Sequence, residues 1–177
     1  MIDNERKGNY RNYKILCNDK DANNLPAIIK NIPALITPDI PMLRKKLNKY
    51  YSESGFFFSS LVSKDSIISK SAEIGEGTII QSGVYVSAES IIGNFVKLNV
   101  KCNIMHDSII GSYSTIAPNA VVLGKVKIGE LCYIGSNATI LPNIRICDNV
   151  IIGAGAIVNK DIDKSGTYAG VPVKQIK

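Results

Sequence analysis

One histidine occurs in this chain of 177 residues, His106, and an aspartate, Asp107, follows it directly. An imidazole titrates near neutral pH. A carboxylate bonded to one ring nitrogen fixes its tautomer and raises the basicity of the other. Such a pair can draw a proton from an attacking amine or hydroxyl. A lone histidine is more often structural, so its surroundings decide. The four cysteines, Cys17, Cys102, Cys132 and Cys147, form no Cys-x-x-Cys pair. Their spacing predicts neither a disulfide framework nor a zinc site, and one histidine cannot complete a His-rich metal site. No metal is expected.

The element that must position His106 is a repeat. Cut into sixes from Ser63, the chain gives sixteen blocks, each ending in Ile, Leu or Val, from Ile68 and Ile74 through Ile104 and Ile110 to Val158. Two residues earlier the side chain is usually small, as at Ala72, Thr78, Ser90, Cys102, Ser108, Ser114, Ala120, Cys132, Ala138 and Ala156. Positions two apart in a strand share a face, so each block turns one bulky and one small residue inward. Cys102 and Cys132 fall on the small inward places and read as core. Gly75, Gly93, Gly111 and Gly129 are eighteen apart, as are Gly135 and Gly153. Glycine at such spacing marks positive φ or close backbone approach. Three blocks therefore make one turn of a three-sided parallel β-helix, a solenoid whose coils bury one another. His106 takes the second place of its block, at a corner, and faces outward.

The repeat divides the chain into residues 1–58, a small α/β segment; 59–158, the β-helix; and 159–177, a polar tail leaving the last coil. Tyr13 to Cys17 reads as a strand and Phe56 to Phe58 as another. Pro41 to Ser52 reads as a helix, with Asp39 as a candidate cap and Pro41 in its first turn. So short a segment buries little by itself and is expected to lean on the β-helix. The formal charge of +6 suits a phosphate-bearing ligand. The densest basic cluster is Arg44-Lys45-Lys46. No interleaved aromatic and basic surface for nucleic acid is read, nor a membrane span, nor the apolar core of a signal peptide. A cytoplasmic protein is expected.

The run Asn99-Val100-Lys101-Cys102-Asn103-Ile104-Met105-His106-Asp107 resembles the Asn…His-Asp/Glu segment of the bacterial sugar acetyltransferases with left-handed β-helices. These include the UDP-bacillosamine-pathway and perosamine N-acetyltransferases and the sialic acid O-acetyltransferases. Gly170-Val171-Pro172-Val173-Lys174 is similar to that family's Gly-x-Pro-Ala-Lys ending. The resemblance, over Phe56 to Lys177, implies left-handedness, which runs against the usual right-handed crossover rule. It implies an acetyl-CoA-dependent transfer to a sugar amine, expected on a nucleotide-linked amino sugar of surface-glycan biosynthesis, with His106 as general base and Asp107 orienting it. The hydroxyl of a sialic acid-type sugar is the alternative acceptor. Asn99 would share the pocket, and the Gly124 N–H would steady the oxyanion. Acetyl-CoA contacts would fall at Thr115, Ser136 and Ala154, with Gly135 and Gly153 offering bare backbone. The family's N-terminal glycine-rich turn is absent here, since Gly8 stands alone. By the resemblance, Tyr13 to Asp19 would match that family's second strand, with Asn18 and Asp19 at its end as the expected substrate-binding positions.

His106 and Gly124 lie on one corner, and Ser136 and Ala154 on another, up to roughly 20 Å away at ~3.3 Å per residue. A pocket using both is most easily built between copies, which predicts a homotrimer with sites at its seams. Two other readings share the scaffold. A γ-type carbonic anhydrase needs three zinc-binding histidines, and a non-catalytic scaffold or binding module would not need the outward His-Asp pair.

Overall fold

A computed structural model describes all 177 residues. The repeat winds as a parallel β-helix with three faces. The first face stacks Leu61–Val62, Ile79–Ile80, Lys97–Leu98, Thr115–Ile116, Tyr133–Ile134 and Val150–Ile152. Ile67–Ile68, Tyr85–Val86, Asn103–Ile104, Val121–Val122, Thr139–Ile140 and Ile157–Val158 make the second. The third holds Glu73–Ile74, Ile91–Ile92, Ile109–Ile110, Lys127–Ile128 and Arg145–Ile146. Register advances by eighteen residues: Ile104 pairs with Val86 below and Val122 above. The block-ending aliphatics therefore stack in columns, and Leu98, Ile104, Ile110, Ile116, Ile134 and Ile140 are wholly buried. Burial of each such side chain contributes about 1.5–3 kcal/mol.

The small inward residues do more than fill space. Thr78, Ser90, Ser108 and Ser114 each donate a hydroxyl to the carbonyl fifteen residues on, at 2.9, 3.1, 3.0 and 2.8 Å. A polar group in this narrow core is thus satisfied by the next coil. Cys102 and Cys132 are fully buried. Burial raises their thiols to about 12 and about 11, so both stay protonated at neutral pH.

The eighteen-spaced glycines serve close approach, not positive φ. A Cβ on Gly75 would lie 2.5 Å from the Gly93 carbonyl carbon, and one on Gly93 would lie 2.8 Å from the Ser112 nitrogen. The left-handed conformation sits two places later in each corner, and mostly on other residues: Glu89, Phe95, Lys101, Asp107, Tyr113, Asn119, Lys125, Leu131 and the following three asparagines. Single residues adopt αL at a cost of order 1–2 kcal/mol, and the stacked coils impose it.

The tail does not leave the last coil. Gly166–Ala169 adds a parallel strand beside Val150–Ile152, and Lys174–Gln175 folds back antiparallel on it. Val173, 3% exposed, plugs the core from above.

In the N-terminal segment the expected Tyr13–Cys17 strand is a hairpin, Tyr13–Lys14 against Asn9–Tyr10, with Cys17 making only an isolated bridge to Ile2. A 3₁₀ turn at Asp19–Asn24, α1 at Ala27–Lys30 and α2 at Pro41–Glu53 follow. Phe56 to Phe58 forms no strand; Phe58 only bridges Ala34. Ala22, Ile36, Tyr51, Phe56 and Phe58 cluster against Phe95 of the β-helix, whose ring stacks on Tyr113 at 5.4 Å. The clasp is Arg44, 1% exposed and so not part of a surface cluster. Its guanidinium donates to the carbonyls of Phe95 at 3.0 Å, Pro38 at 2.8 Å, Asp39 at 3.0 Å and Ser114 at 3.0 Å, and to that of Tyr113. Burial pulls Arg44 down to about 10, partly offset by Asp39, and it stays charged at neutral pH. No helix is long and apolar enough to cross a membrane.

Candidate active site

The corner between the second and third faces carries His106. The chain leaves Asn103–Ile104, and Asp107 takes φ 59° with its N–H on the Ala88 carbonyl at 3.0 Å. That turn brings Asp107 Oδ2 to 2.7 Å from His106 Nδ1. A carboxylate only accepts, so Nδ1 holds the hydrogen and Nε2 keeps its lone pair when the ring is neutral. Both side chains are about half exposed, at 58% and 47%.

Gly124 lies one coil further on the same corner. A Cβ built on it would sit 2.7 Å from His106 Nε2 and 2.8 Å from Cε1. No side chain fits there while the ring keeps its place. The Gly124 N–H has no partner within the chain, while its neighbour Lys125 donates to the His106 carbonyl at 2.9 Å. A free donor and a basic nitrogen thus stand side by side, the two groups needed to deprotonate a nucleophile and steady an oxyanion.

Asn99 lies on the next corner, between the first and second faces, and one strand separates it from His106 within the chain. It is 5% exposed, and its Nδ2 donates to Asp39 Oδ1 at 3.1 Å. The nearly buried Lys97 also reaches Oδ1, at 3.0 Å, and donates to the Thr37 carbonyl at 2.6 Å. Burial alone would raise the Asp39 carboxyl, but hydrogen bonds from Lys97 and Asn99 bring it below its ordinary value. Asp39 therefore does not cap α2, whose N-cap is Ile40 with no side-chain bond. Sixty residues separate Asp39 from Asn99, so no local pattern in the sequence pairs them.

Thr115, an expected acetyl-CoA contact, lies under the N-terminal segment. It is fully buried, and its hydroxyl donates to the Asp39 carbonyl at 2.7 Å. The N-terminal segment covers it, so within this chain it fastens that segment and is closed to a ligand. Gly135 and Gly153 lie on the same corner as Asn99, one and two coils above Ala117. A Cβ on Gly135 would meet the Ala154 nitrogen at 2.6 Å, and one on Gly153 would meet the Ala169 Cβ at 3.0 Å. Their bareness admits the next coil and the returning tail. Ser136 and Ala154 do stack on the corner of Asn99, and their N–H groups donate to nothing in the chain. Lower on that corner the equivalent N–H is lost at Pro118 and bonded by Gln81 at Val100. The two free donors thus form a short ladder that suits the amide carbonyls of a pantetheine arm.

Asn18 and Asp19 lie far along the chain from these corners and are engaged locally. The Asn18 side chain accepts from the Asp21 N–H at 3.1 Å. The Asp19 carboxylate accepts from Asn4 Nδ2 at 2.5 Å and from the Tyr51 hydroxyl. Both read as braces of the front segment.

The bacterial transferase hexapeptide family (six repeats) matches residues 89–124 and 125–160. No curated protein matches the sequence. Among solved structures, the acetyltransferase domain of PglB from Neisseria gonorrhoeae is similar with a TM-score of 0.93 at 25% identity, over 99% of this chain and 85% of that one. That domain has also been solved with acetyl coenzyme A. PerB from Caulobacter crescentus, solved with CoA and GDP-perosamine, gives 0.87 at 26% identity over 93% of this chain and 79% of its own. WeeI from Acinetobacter baumannii gives 0.86 at 26% identity, over 99% and 84%. The likeness extends through the N-terminal segment, beyond the two-thirds that sequence motifs cover.

Proposed function

We propose that this chain, a left-handed hexapeptide β-helix of the sugar N-acetyltransferase type, moves the acetyl group of acetyl-CoA onto the amine of a nucleotide-linked amino sugar. The observation that carries this reading is the His106 ring, tied to Asp107 at 2.7 Å with Nε2 free over Gly124.

The sugar amine attacks the thioester carbonyl carbon, forming a C–N bond and pushing electrons onto the carbonyl oxygen. The Gly124 N–H is the donor for that oxyanion, a contribution typically worth about 2.7–4 kcal/mol where one such donor is removed. His106 Nε2 takes the proton from the attacking nitrogen, and Asp107 holds the resulting imidazolium. As the carbonyl re-forms, the C–S bond breaks and the proton passes to the departing CoA sulfur. No covalent enzyme intermediate is required, in keeping with the two buried, protonated thiols.

The Ser136 and Ala154 N–H groups hold the pantetheine arm on the neighbouring corner. Since the two corners diverge within one chain, the complete pocket forms where copies meet, in a homotrimer with three sites. Acetyl-CoA and nucleotide sugars are cytoplasmic metabolites, and the cytoplasm is the compartment this reading requires.

The test is to incubate the protein with acetyl-CoA and a panel of nucleotide-linked amino sugars, with sialic acid as a hydroxyl acceptor. CoA release and product mass are followed. The expected result is N-acetylated nucleotide sugar and an unchanged sialic acid. No turnover of any amine, or transfer to sialic acid alone, would overturn the reading.

A further inference from the structure

Asp39 arrives at the β-helix on the segment between Ile36 and α2, and four side chains hold it there. Arg44 takes its carbonyl at 3.0 Å, Thr115 donates to that same carbonyl at 2.7 Å, and Lys97 meets Oδ1 at 3.0 Å. Lys97 and Asn99 both bond Oδ1. Oδ2 accepts no hydrogen bond within the chain, and the side chain is 53% exposed. The arrangement also settles the Asn99 amide. A carboxylate cannot donate, so Nδ2 must face Asp39 and Oδ1 must face away. Asn99 Oδ1 likewise accepts nothing within the chain, and no fully buried side-chain polar atom is unpartnered, so this oxygen keeps some contact with solvent although the residue is only 5% exposed.

Two acceptors, one of them charged, thus flank the Asn99 Nδ2–Asp39 Oδ1 hydrogen bond on the corner that carries Ser136 and Ala154, with the donors around them already used. Their complement is a pair of hydrogen-bond donors. We infer that Asp39 Oδ2 and Asn99 Oδ1 bind hydroxyl groups of the acceptor sugar, making Asp39 a specificity-determining residue carried by the N-terminal segment. The inference rests on the acetyltransferase reading for what the ligand is, but the binding it describes needs no turnover. It also assigns the segment a task that does not depend on a glycine-rich turn: the front end holds the sugar ring rather than only the nucleotide.

Calorimetric titration of the full protein without acetyl-CoA tests it, using GDP-perosamine and dTDP-4-amino-4,6-dideoxyglucose as probes and GDP and dTDP as sugar-free controls. In Asp39→Asn, Lys97 and Asn99 hold the remaining oxygen, so the amide nitrogen replaces Oδ2 and a donor stands where an acceptor was. The expected result is that the better-binding sugar nucleotide weakens about tenfold or more, as for loss of a hydrogen bond to a charged group. Its nucleoside diphosphate should change less than twofold. If the now unpaired Lys97 destabilises the fold, Asp39→Asn/Lys97→Met removes both charges and serves in its place. Equal weakening of sugar nucleotide and nucleoside diphosphate, no weakening, or failure of the unaltered protein to bind either probe overturns the inference. Asp39-dependent binding without acetyl transfer would instead overturn the proposed activity alone.

Discussion

The His106 ring is constrained from two directions, by the Asp107 carboxylate at Nδ1 and by the bare Cα of Gly124 beneath Nε2. The second constraint makes a sharp prediction. In Gly124→Ala a methyl would need the space 2.7 Å from Nε2, and a side chain at the surface gives way more easily than the stacked backbone. The ring should swing outward by about an ångström, and misplacement on that scale costs about 10²-fold in rate. We expect kcat to fall roughly 10- to 100-fold, while the urea midpoint hardly moves because the ring is already half exposed. A variant with unchanged kcat would show that Nε2 does not act from this position. His106 and Asp107 were legible as a pair from adjacency alone, since neighbouring residues need no fold to meet. The Asp39–Asn99 pair was not, because sixty residues separate its members. Only the docking of one segment on another brings them together.

The β-helix was legible almost residue by residue, because its contacts repeat at a fixed spacing and each block restates the rule. The front segment was not, because it restates nothing. Its strands dwindle to a hairpin and two bridges, and its order comes from a clasp that no spacing in the sequence marks. Arg44 belongs with Lys45 and Lys46 to the densest basic cluster of the sequence, yet it alone of the three is buried and bonded to five carbonyls. The eighteen-spaced glycines taught a similar lesson. Spacing announced a constraint but could not say which one, and it proved to be crowding by the next coil. At this scale the account predicts that Arg44→Met removes the clasp and leaves carbonyls of both segments unpaired. A loss of about 2–4 kcal/mol is expected, concentrated in the N-terminal segment. Hydrogen exchange should show residues 1–58 losing protection while the coil amides keep theirs. Uniform loss along the chain would mean that the segment and the β-helix are one cooperative unit.

Across the whole molecule, the free N–H groups of Ser136 and Ala154 and the His106 ring stand on different corners of the β-helix, one strand apart along the chain. The account's central claim is that His106 of one copy works on a donor held by Ser136 and Ala154 of a neighbouring copy. Co-expression of two differently tagged variants tests this most directly. His106→Ala lacks the base, and Ala154→Trp blocks the pantetheine ladder. Acetyl-CoA turnover is compared for the unaltered protein, each variant alone and the purified mixed assembly, with melting temperatures confirming the fold. The account predicts that each variant alone falls below about a hundredth of full activity, the upper range for a positioned general base being about 10⁴-fold. The mixed assembly should regain at least ten times either, because some seams then carry an intact histidine opposite an intact ladder. A folded His106→Ala protein with undiminished turnover, or two inactive variants whose mixture stays inactive, would contradict it.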